Sequence, residues 1–274
     1  MLEFLYQTIL GRVILKILTW PMLSGGIGRF MDSRLSEWII PAFIQKNNID
    51  MSEYQVEEYR SFNDFFCRRI RPELRPIDVR KDVLIAPCDG LLRVYPIQDD
   101  LVIPVKESHY RISDLLRDRD LAQKYHDGTC LVFRLCVHHY HRYCYPDSGI
   151  KTRNIYIPGV LHTVRPVALR EVPVFTENSR EYTMVCSDHF GDIIQMEVGA
   201  MLVGKIDNYH AEALVSRGEE KGRFLYGGST IILLLEKGAA EINSEILHAT
   251  ENGQEVEVKM GQAIGRRRVA NKNN

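Results

Sequence analysis

The chain has 274 residues, of which 35 are Lys or Arg and 36 are Asp or Glu, so its formal net charge is −1. A charge this close to zero argues against a protein that is held to nucleic acid by a broad basic face. Hydrophobic residues make up 45% of the chain, which excludes general disorder and predicts a globular protein of one or two domains.

The first 20 residues are the most apolar part of the chain, so a membrane or targeting segment is considered first. Glu3, Arg12 and Lys16 interrupt the run, which leaves neither the ~20 uncharged residues of a spanning helix nor the unbroken core of a secretory signal. On a helix, the polar positions form one narrow stripe. Two interpretations stay open: a helix buried against its own domain or in a dimer, and an interfacial helix on a bilayer with Trp20 at headgroup depth.

A second apolar segment, residues 38–44, follows a glycine-rich break at residues 25–28. Residues 1–46 carry five basic and three acidic side chains, and this positive balance favours contact with an anionic membrane surface. We therefore predict that residues 1–60 form an N-terminal helical, membrane-associating segment.

Beyond this segment the chain has mostly strand-like patterns. Ser52–Arg69 has apolar and aromatic residues at helical spacing, and a short helix is predicted around Ser113–Lys124. Runs rich in Val, Ile, Leu and Tyr, bounded by turn residues, predict strands at residues 83–87, 90–97, 130–137, 154–161, 182–187, 193–206, 229–236 and 256–264. No regular βαβ spacing is present. We predict an α+β fold in which residues 61–274 form a mostly antiparallel, β-rich domain.

The six cysteines show no CxxC pair and no zinc-finger spacing with histidine; they are Cys67, Cys88, Cys130, Cys136, Cys144 and Cys186. A chain of this length does not need disulfide bonds for stability, so we expect mostly buried free thiols in a reducing compartment.

The sequence Gly227-Gly228-Ser229-Thr230 leads into an apolar strand, and taken alone it is typical of a turn. Two glycines also allow strained backbone conformations and leave the Gly228 carbonyl open to attack by the Ser229 hydroxyl. Such an attack moves the acyl group from nitrogen to oxygen. Elimination then cuts the chain, and hydrolysis converts the serine into a pyruvoyl group, an electrophilic ketone made from the protein itself.

These residues resemble the self-cleavage motif of the phosphatidylserine decarboxylases, Gly-Gly-Ser-Thr preceded by Gly-x-Phe, here Gly222 and Phe224. Six further blocks resemble family motifs in the correct order: FNDFFCRRIRPELRPID (62–78), APCDG (86–90), YHR (140–142), YIPGVL (156–161), VGAMLVGKI (198–206) and VKMGQAIG (258–265). The resemblance therefore covers most of the chain.

The family uses an Asp–His–Ser arrangement for self-cleavage, in which a base takes the serine proton and a carboxylate orients the base. The resemblance assigns the aspartate to Asp89, which alone would be read as an Asp-Gly turn, and the serine to Ser229. The family's usual triad histidine is replaced by Cys144, and a thiol has a different reference pKa, near 8.5. His141 matches the other family histidine and is the candidate acid for the later step.

The neighbouring His138 and His139 are alternatives for the cleavage base. His139 and His141 would share one face of a strand, but no Asp, Glu or Cys at convincing spacing completes a metal site, so no metal is predicted.

The resemblance implies a catalytic domain that cuts itself between Gly228 and Ser229 into residues 1–228 and 229–274. The pyruvoyl group derived from Ser229 is then the only cofactor, and phosphatidylserine is decarboxylated to phosphatidylethanolamine. The implied partners are the substrate lipid, the cytoplasmic surface of the cell membrane and a second copy of the chain in a homodimer, but no nucleic acid. The basic run of residues 266–268 is either a lipid contact or a solvated tail.

Two alternatives stay open at this point. One is a pyruvoyl-dependent decarboxylase of another serine-headed lipid or of an amino acid. The other is a relative that binds lipid and never cleaves itself.

Overall fold

The computed structural model describes residue 8 and residues 21–98, 101–105, 108–160, 174–199, 205–226 and 229–268. Apart from residue 8, the predicted helix of residues 1–20 lies outside these ranges, as do Gly227 and Gly228. The fold is α+β, and its sheets are built from antiparallel strand pairs, which confirms the predicted class. None of the helices within the described ranges has the length and apolar character needed to cross a membrane.

The strands of the described ranges are short and follow one another closely. They are β1 (Val83–Ile85), β2 (Gly90–Pro96), β3 (Leu101–Val105), β4 (Ser108–Arg111), β5 (Thr129–Leu135), β6 (Arg142–Cys144), β7 (Gly149–Lys151), β8 (Ile155–Ile157), β9 (Arg180–Ser187), β10 (Gly191–Val198), β11 (Ile206–Asn208), β12 (Ala213–Val215), β13 (Glu220–Phe224), β14 (Ser229–Leu235), β15 (Ala240–Ile242), β16 (Val256–Val258) and β17 (Ala263–Arg267). The helices are α1 (Pro21–Met31), α2 (Ile39–Asn47), α3 (Phe62–Phe66), α4 (Ile112–Leu116), α5 (Arg119–Gln123), α6 (Val174–Glu177) and α7 (Ser244–Glu251).

A nine-stranded central sheet has the order β12-β7-β9-β10-β14-β5-β2-β16, and β8 also pairs with β9. Strand β14 lies inside this sheet and is buried along its whole length, which explains why its sequence is a continuous apolar run rather than an alternating one. Two three-stranded sheets, β1-β17-β15 and β11-β13-β6, and the pair β3-β4 complete the described strands.

The two faces of the central sheet are covered differently. On one face, Ile112 and Leu115 of α4 and Phe175 of α6 share a core with Val132 and Ile232 of the sheet. The opposite face is covered by the sheet β11-β13-β6, which we call the small sheet, and by α7. The layer between the central and small sheets carries the candidate site.

On this second face, Tyr143 and Phe224 of the small sheet and Ile246 of α7 pack against Phe133 and Ile231 of the central sheet. Large apolar side chains from both sheets thus pack into one buried core in this layer.

The helical prediction for Ser52–Arg69 is correct only for α3. Ser61 begins this helix, since its Oγ accepts a hydrogen bond from the Asp64 backbone N–H at 3.1 Å. Tyr54, before α3, and Ile70, after it, form an antiparallel bridge. Backbone groups there bond across the chain rather than within a helix, so the tertiary pairing overrides the helical spacing.

The predicted helix at Ser113–Lys124 is divided into α4 and α5. Arg117 between them has a left-handed backbone with φ of 54°. Asp118 then caps α5 by accepting a hydrogen bond from the Leu121 backbone N–H at 2.9 Å. The capping aspartate favours a new helix start over continuation of the first helix.

Candidate active site

Three neighbouring strands bring two of the predicted catalytic residues, Ser229 and Asp89, to one end of the central sheet. Ser229, the first residue of β14, lies opposite Leu135, the last residue of β5. Strand β2 begins at Gly90 on the other side of β5, with Leu91 opposite Arg134. Asp89 comes directly before β2. The start of β14, the end of β5 and the residue before β2 therefore lie at the same end of the sheet.

Ser229 is 1% exposed, and its Oγ forms no hydrogen bond with any residue that the structure describes. Residues directly opposite in neighbouring strands point to the same face. Leu135 belongs to the core shared with the small sheet, so the Ser229 side chain also faces the layer between the two sheets. A buried hydroxyl without a partner is unusual in a folded protein and needs an explanation.

The carboxylate of Asp89 is bound by Arg75. Nε of Arg75 donates to Oδ1 at 2.8 Å and Nη2 donates to Oδ2 at 2.5 Å, while the backbone N–H of Met260 donates to Oδ1 at 2.9 Å. Both partners of the ion pair are buried. Asp89 thus lies at the same end of the central sheet as Ser229. Its described hydrogen bonds, however, go to Arg75 and Met260 rather than to a histidine.

His141 is fully buried beside the small sheet. Its Nδ1 lies 2.9 Å from the carbonyl oxygen of His139, while Nε2 has no partner among the described residues. Because a carbonyl only accepts, Nδ1 carries the proton of the neutral ring and Nε2 has a free lone pair. Burial lowers the pKa of His141 well below its ordinary value, and the positive charge of Arg68 acts in the same direction. At neutral pH the ring is therefore a base rather than an acid.

His141 is tied to the segment that precedes Ser229. Its carbonyl oxygen accepts a hydrogen bond from the Phe224 backbone N–H at 2.9 Å. The ring centroid of Phe66 lies 4.1 Å from that of His141 and 5.3 Å from that of Tyr226. Phe66 thus packs between the histidine and the chain that leads to the predicted cleavage site.

The glycine of the Gly-x-Phe motif has a packing reason. A Cβ on Gly222 would lie 2.8 Å from Oη of Tyr143 and closer still to the carbonyl oxygen of Asp207. Only a residue without a side chain lets β13 approach β11 and β6 this closely.

Two of the residues that the sequence analysis considered for the cleavage base, His139 and Cys144, have surroundings that disfavour uptake of a proton. Nδ1 of His139 accepts the Cys136 backbone N–H at 2.9 Å, so the neutral ring carries its proton on Nε2 and has no free lone pair for another proton. Cys144 is buried in a separate apolar cluster with Val83, and burial raises the pKa of its thiol. The thiol is protonated at neutral pH, so it is a poor proton acceptor there.

Three charged residues in this region were missed by the sequence analysis. Lys221 of β13 and Glu197 of β10 form a fully buried ion pair, with Nζ to Oε2 at 2.6 Å. The signal was a single acidic residue inside an apolar strand, Met196-Glu197-Val198, since a buried charge in such a place needs a partner. Arg75, the partner of Asp89, was present in the 62–78 motif block but was not singled out.

No group of three or more His, Cys, Asp or Glu is arranged to hold a metal ion in the part of the chain that the structure describes. The basic run at the C-terminus is not simply a tail, because Arg266 and Arg267 belong to β17 and are exposed there.

The N-terminal elements expose large apolar side chains. Trp38 is 75% exposed, Leu35 is 72% exposed and Phe30 is 38% exposed. Arg29 and Arg34 are exposed in the same stretch. Apolar and basic side chains are thus presented together.

Known proteins that are similar over nearly the whole chain carry consistent names. A family model described as phosphatidylserine decarboxylase matches residues 62–266. A protein of Clostridium acetobutylicum named phosphatidylserine decarboxylase proenzyme 2 is 45% identical over 266 residues, which are 96% of this chain and 91% of the relative. Proteins named phosphatidylserine decarboxylase proenzyme are 41% identical in Clostridium perfringens, over 95% of this chain and 90% of the relative, and 38% identical in Clostridium botulinum, over 96% and 91%.

Proposed function

Because the chain belongs to the phosphatidylserine decarboxylase family, we propose that it is a proenzyme that cuts itself between Gly228 and Ser229 and then decarboxylates phosphatidylserine to phosphatidylethanolamine. The observation that carries this proposal is the Ser229 hydroxyl, which is buried and unpartnered among the described residues at the first position of β14. The pyruvoyl group is made from this residue, and the buried hydroxyl fits its role as precursor.

In the proposed self-cleavage, Nε2 of His141 takes the hydroxyl proton of Ser229 as Oγ bonds to the carbonyl carbon of Gly228. The bond from that carbon to the Ser229 nitrogen breaks, and the nitrogen takes up a proton, which leaves an ester. Loss of the Ser229 Cα proton then breaks the Cβ–Oγ bond and releases Gly228 as a carboxylate. Water finally replaces the nitrogen, which leaves as ammonia, and the ketone of the pyruvoyl group remains on the chain.

His141 supports this proposal because its neutral tautomer leaves Nε2 free to accept a proton. His141 directly precedes β6, and its carbonyl oxygen accepts the Phe224 backbone N–H of β13, which supports a role next to the segment that leads to Ser229. In the proposal, Asp89, whose charge is balanced by that of Arg75, has a structural role at this end of the sheet.

In the decarboxylation, the pyruvoyl ketone supplies the carbonyl that draws the electron pair left by CO₂. His141, once protonated, is the group in this layer that returns a proton to the product carbon. Phe66 packs against the His141 ring, which gives the proposed proton donor an apolar setting.

The proposal places the enzyme on the cytoplasmic surface of the cell membrane, where its lipid substrate lies. The exposed side chains of Phe30, Leu35 and Trp38, next to Arg29 and Arg34, support this placement. Apolar side chains insert at the level of the headgroups, and arginine attracts anionic lipids such as the substrate.

Intact mass spectrometry tests the self-cleavage. The wild-type protein, 31.6 kDa before cleavage, is expected to give fragments 1–228 and 229–274, the second blocked at its amino terminus by the pyruvoyl group. Ser229→Ala is expected to stay intact. Ser187→Ala is the matched control, because Ser187 is a half-buried serine at the far end of β9, and it is expected to cleave like the wild type.

The cleaved protein is then incubated with phosphatidylserine vesicles, and the lipids are measured by mass spectrometry. Phosphatidylethanolamine is expected with the wild-type protein and not with Ser229→Ala. A wild-type chain that stays at full mass, or that cleaves but leaves phosphatidylserine unchanged, would overturn the proposal.

A further inference from the structure

A buried ion pair joins the strand that leads toward Ser229 to a strand of the central sheet. Nζ of Lys221 in β13 donates to Oε2 of Glu197 in β10 at 2.6 Å and to Oδ1 of Asn208 in β11 at 2.8 Å. Nδ2 of Asn208 donates to the same Glu197 oxygen at 3.2 Å and to Oε1 of Glu181 at 2.9 Å. Lys221 and Glu197, whose side chains have no solvent contact, therefore link the small sheet to the central sheet.

This ion pair lies beside Ser229. Glu197 is opposite Ile231, which is two residues after Ser229 in β14. Alternate residues of a strand share a face, so Glu197 and Ser229 are diagonal neighbours in the same layer, about 7 to 8 Å apart. Oε1 of Glu197 and Oγ of Ser229 are both buried without a hydrogen-bond partner in the described chain.

Stability alone does not explain why the fold contains this buried ion pair. Removing two charges from water is unfavourable, and a well-packed apolar pair is often at least as stable as a buried ion pair. An ammonium and a carboxylate differ from an apolar pair in holding one direction and one distance. The pair is therefore suited to fix a position.

The element that the pair fixes carries the chemistry. Strand β13 contains Lys221 and ends at Phe224, whose backbone N–H binds the carbonyl oxygen of His141 at 2.9 Å. The chain continues from Phe224 to Ser229. A shift of β13 against the central sheet would therefore move both the proposed base and the segment to be cut.

We propose that Lys221 and Glu197 are positioning residues for self-cleavage: their ion pair holds β13, and with it His141, over the end of β14. The inference rests on the proposed self-cleavage at Ser229. The pair acts through the backbone of β13 and takes part in no bond-making step.

The test measures the rate of self-cleavage of freshly translated full-length chain for Glu197→Gln, Lys221→Met and the double variant. Thermal stability is measured for the same changes in a Ser229→Ala background, so that every chain is uncut. Each single variant is expected to slow cleavage about a hundredfold, the loss typical of a misplacement of about 1 Å. Lys221→Met is expected to lower Tm most, because it leaves a carboxylate buried without its cation.

The double variant separates positioning from stability. It removes both charges, so its Tm is expected to recover relative to Lys221→Met, while cleavage stays slow because the directional contact is gone. Asp147→Asn is the matched control: Asp147 forms another buried ion pair, with Arg217 at 2.5 Å, near Ser187 at the far end of β9. It is expected to lower Tm and to leave the cleavage rate unchanged.

The outcomes are distinct. A wild-type chain that does not cleave overturns the proposed function itself. If the wild type cleaves, a wild-type rate in the single variants or in the double variant overturns the positioning role. The same holds if Asp147→Asn slows cleavage as much as Lys221→Met does at an equal loss of Tm. Where a single variant does not accumulate as folded protein, the rate of the double variant decides.

Discussion

Three buried polar atoms at the candidate site have no hydrogen-bond partner among the described residues: Oγ of Ser229, Nε2 of His141 and Oε1 of Glu197. Buried polar groups in folded proteins are nearly always satisfied, since each unmade hydrogen bond costs about 1–3 kcal/mol. Such unsatisfied atoms are therefore a stronger sign of chemistry than the residue types alone. His141 differs most from the sequence-based expectation, because its neutral tautomer makes it a proton acceptor before it can donate.

We expect His141→Asn to slow self-cleavage by about 10²–10⁴-fold, the usual contribution of a general base. Cys144→Ala is expected to cleave at close to the wild-type rate, because burial raises the pKa of that thiol and keeps it protonated. His139→Asn is expected to have little effect, since Nδ1 of His139 is occupied by the Cys136 backbone N–H. The rates are measured on fresh precursor by gel electrophoresis and intact mass.

The pH dependence provides a second readout for His141. Burial lowers its pKa in the folded chain, so the base stays neutral as the pH falls through 6.5, the reference value for histidine. The cleavage rate is expected to be flat from pH 8 to about pH 6 and to fall only at lower pH. A rate that rises steadily from pH 6 to pH 8 would instead indicate a thiolate base, and normal cleavage by His141→Asn would contradict the assignment.

Among the elements, apolar pattern alone was enough to predict the innermost strands of the central sheet, but not its strands β7 and β12. The run 229–236 corresponds to β14 and the run 130–137 to β5, because both strands are buried on two faces. The small sheet could not be predicted, since β13 contains Glu220, Lys221 and Gly222, and its pairing with β6 depends on contacts distant in sequence. For the same reason the sequence identified Asp89 but not its partner Arg75.

The Arg75–Asp89 pair holds the segment before β1 against the start of β2, and both side chains are almost fully buried. We expect Arg75→Met to lower the free energy of unfolding by about 3–5 kcal/mol, because it leaves a buried carboxylate without its cation. Arg80→Met is the matched control: it breaks the Asp78–Arg80 pair, in which Arg80 is 55% exposed, and should change stability by less than about 1 kcal/mol. Urea unfolding in the Ser229→Ala background measures both, and equal losses would contradict the structural role of the buried pair.

At the scale of the whole molecule, the candidate site and the exposed N-terminal surface belong to one connected core. Phe43 of α2 packs edge-on against Phe62 of α3 and lies 6.0 Å, centroid to centroid, from Tyr226, which precedes the cleavage site. Phe66 of α3 contacts His141. The elements that expose Leu35 and Trp38 are thus packed directly onto the site, which suits an enzyme whose substrate headgroup is presented by a membrane.

This arrangement predicts which exposed apolar residues bind lipid. Leu35→Ser with Trp38→Ser is expected to weaken binding to vesicles rich in phosphatidylserine by at least about tenfold, since burying such side chains contributes about 1.5–3 kcal/mol each. Leu214→Ser is the control: Leu214 is 81% exposed but lies on β12, the edge strand of the central sheet. Co-sedimentation with vesicles measures binding. Because Arg29 and Arg34 accompany the apolar residues, binding is also expected to weaken as salt is raised. An equal loss in Leu214→Ser would show that exposed apolar area in general, rather than this surface, determines membrane binding.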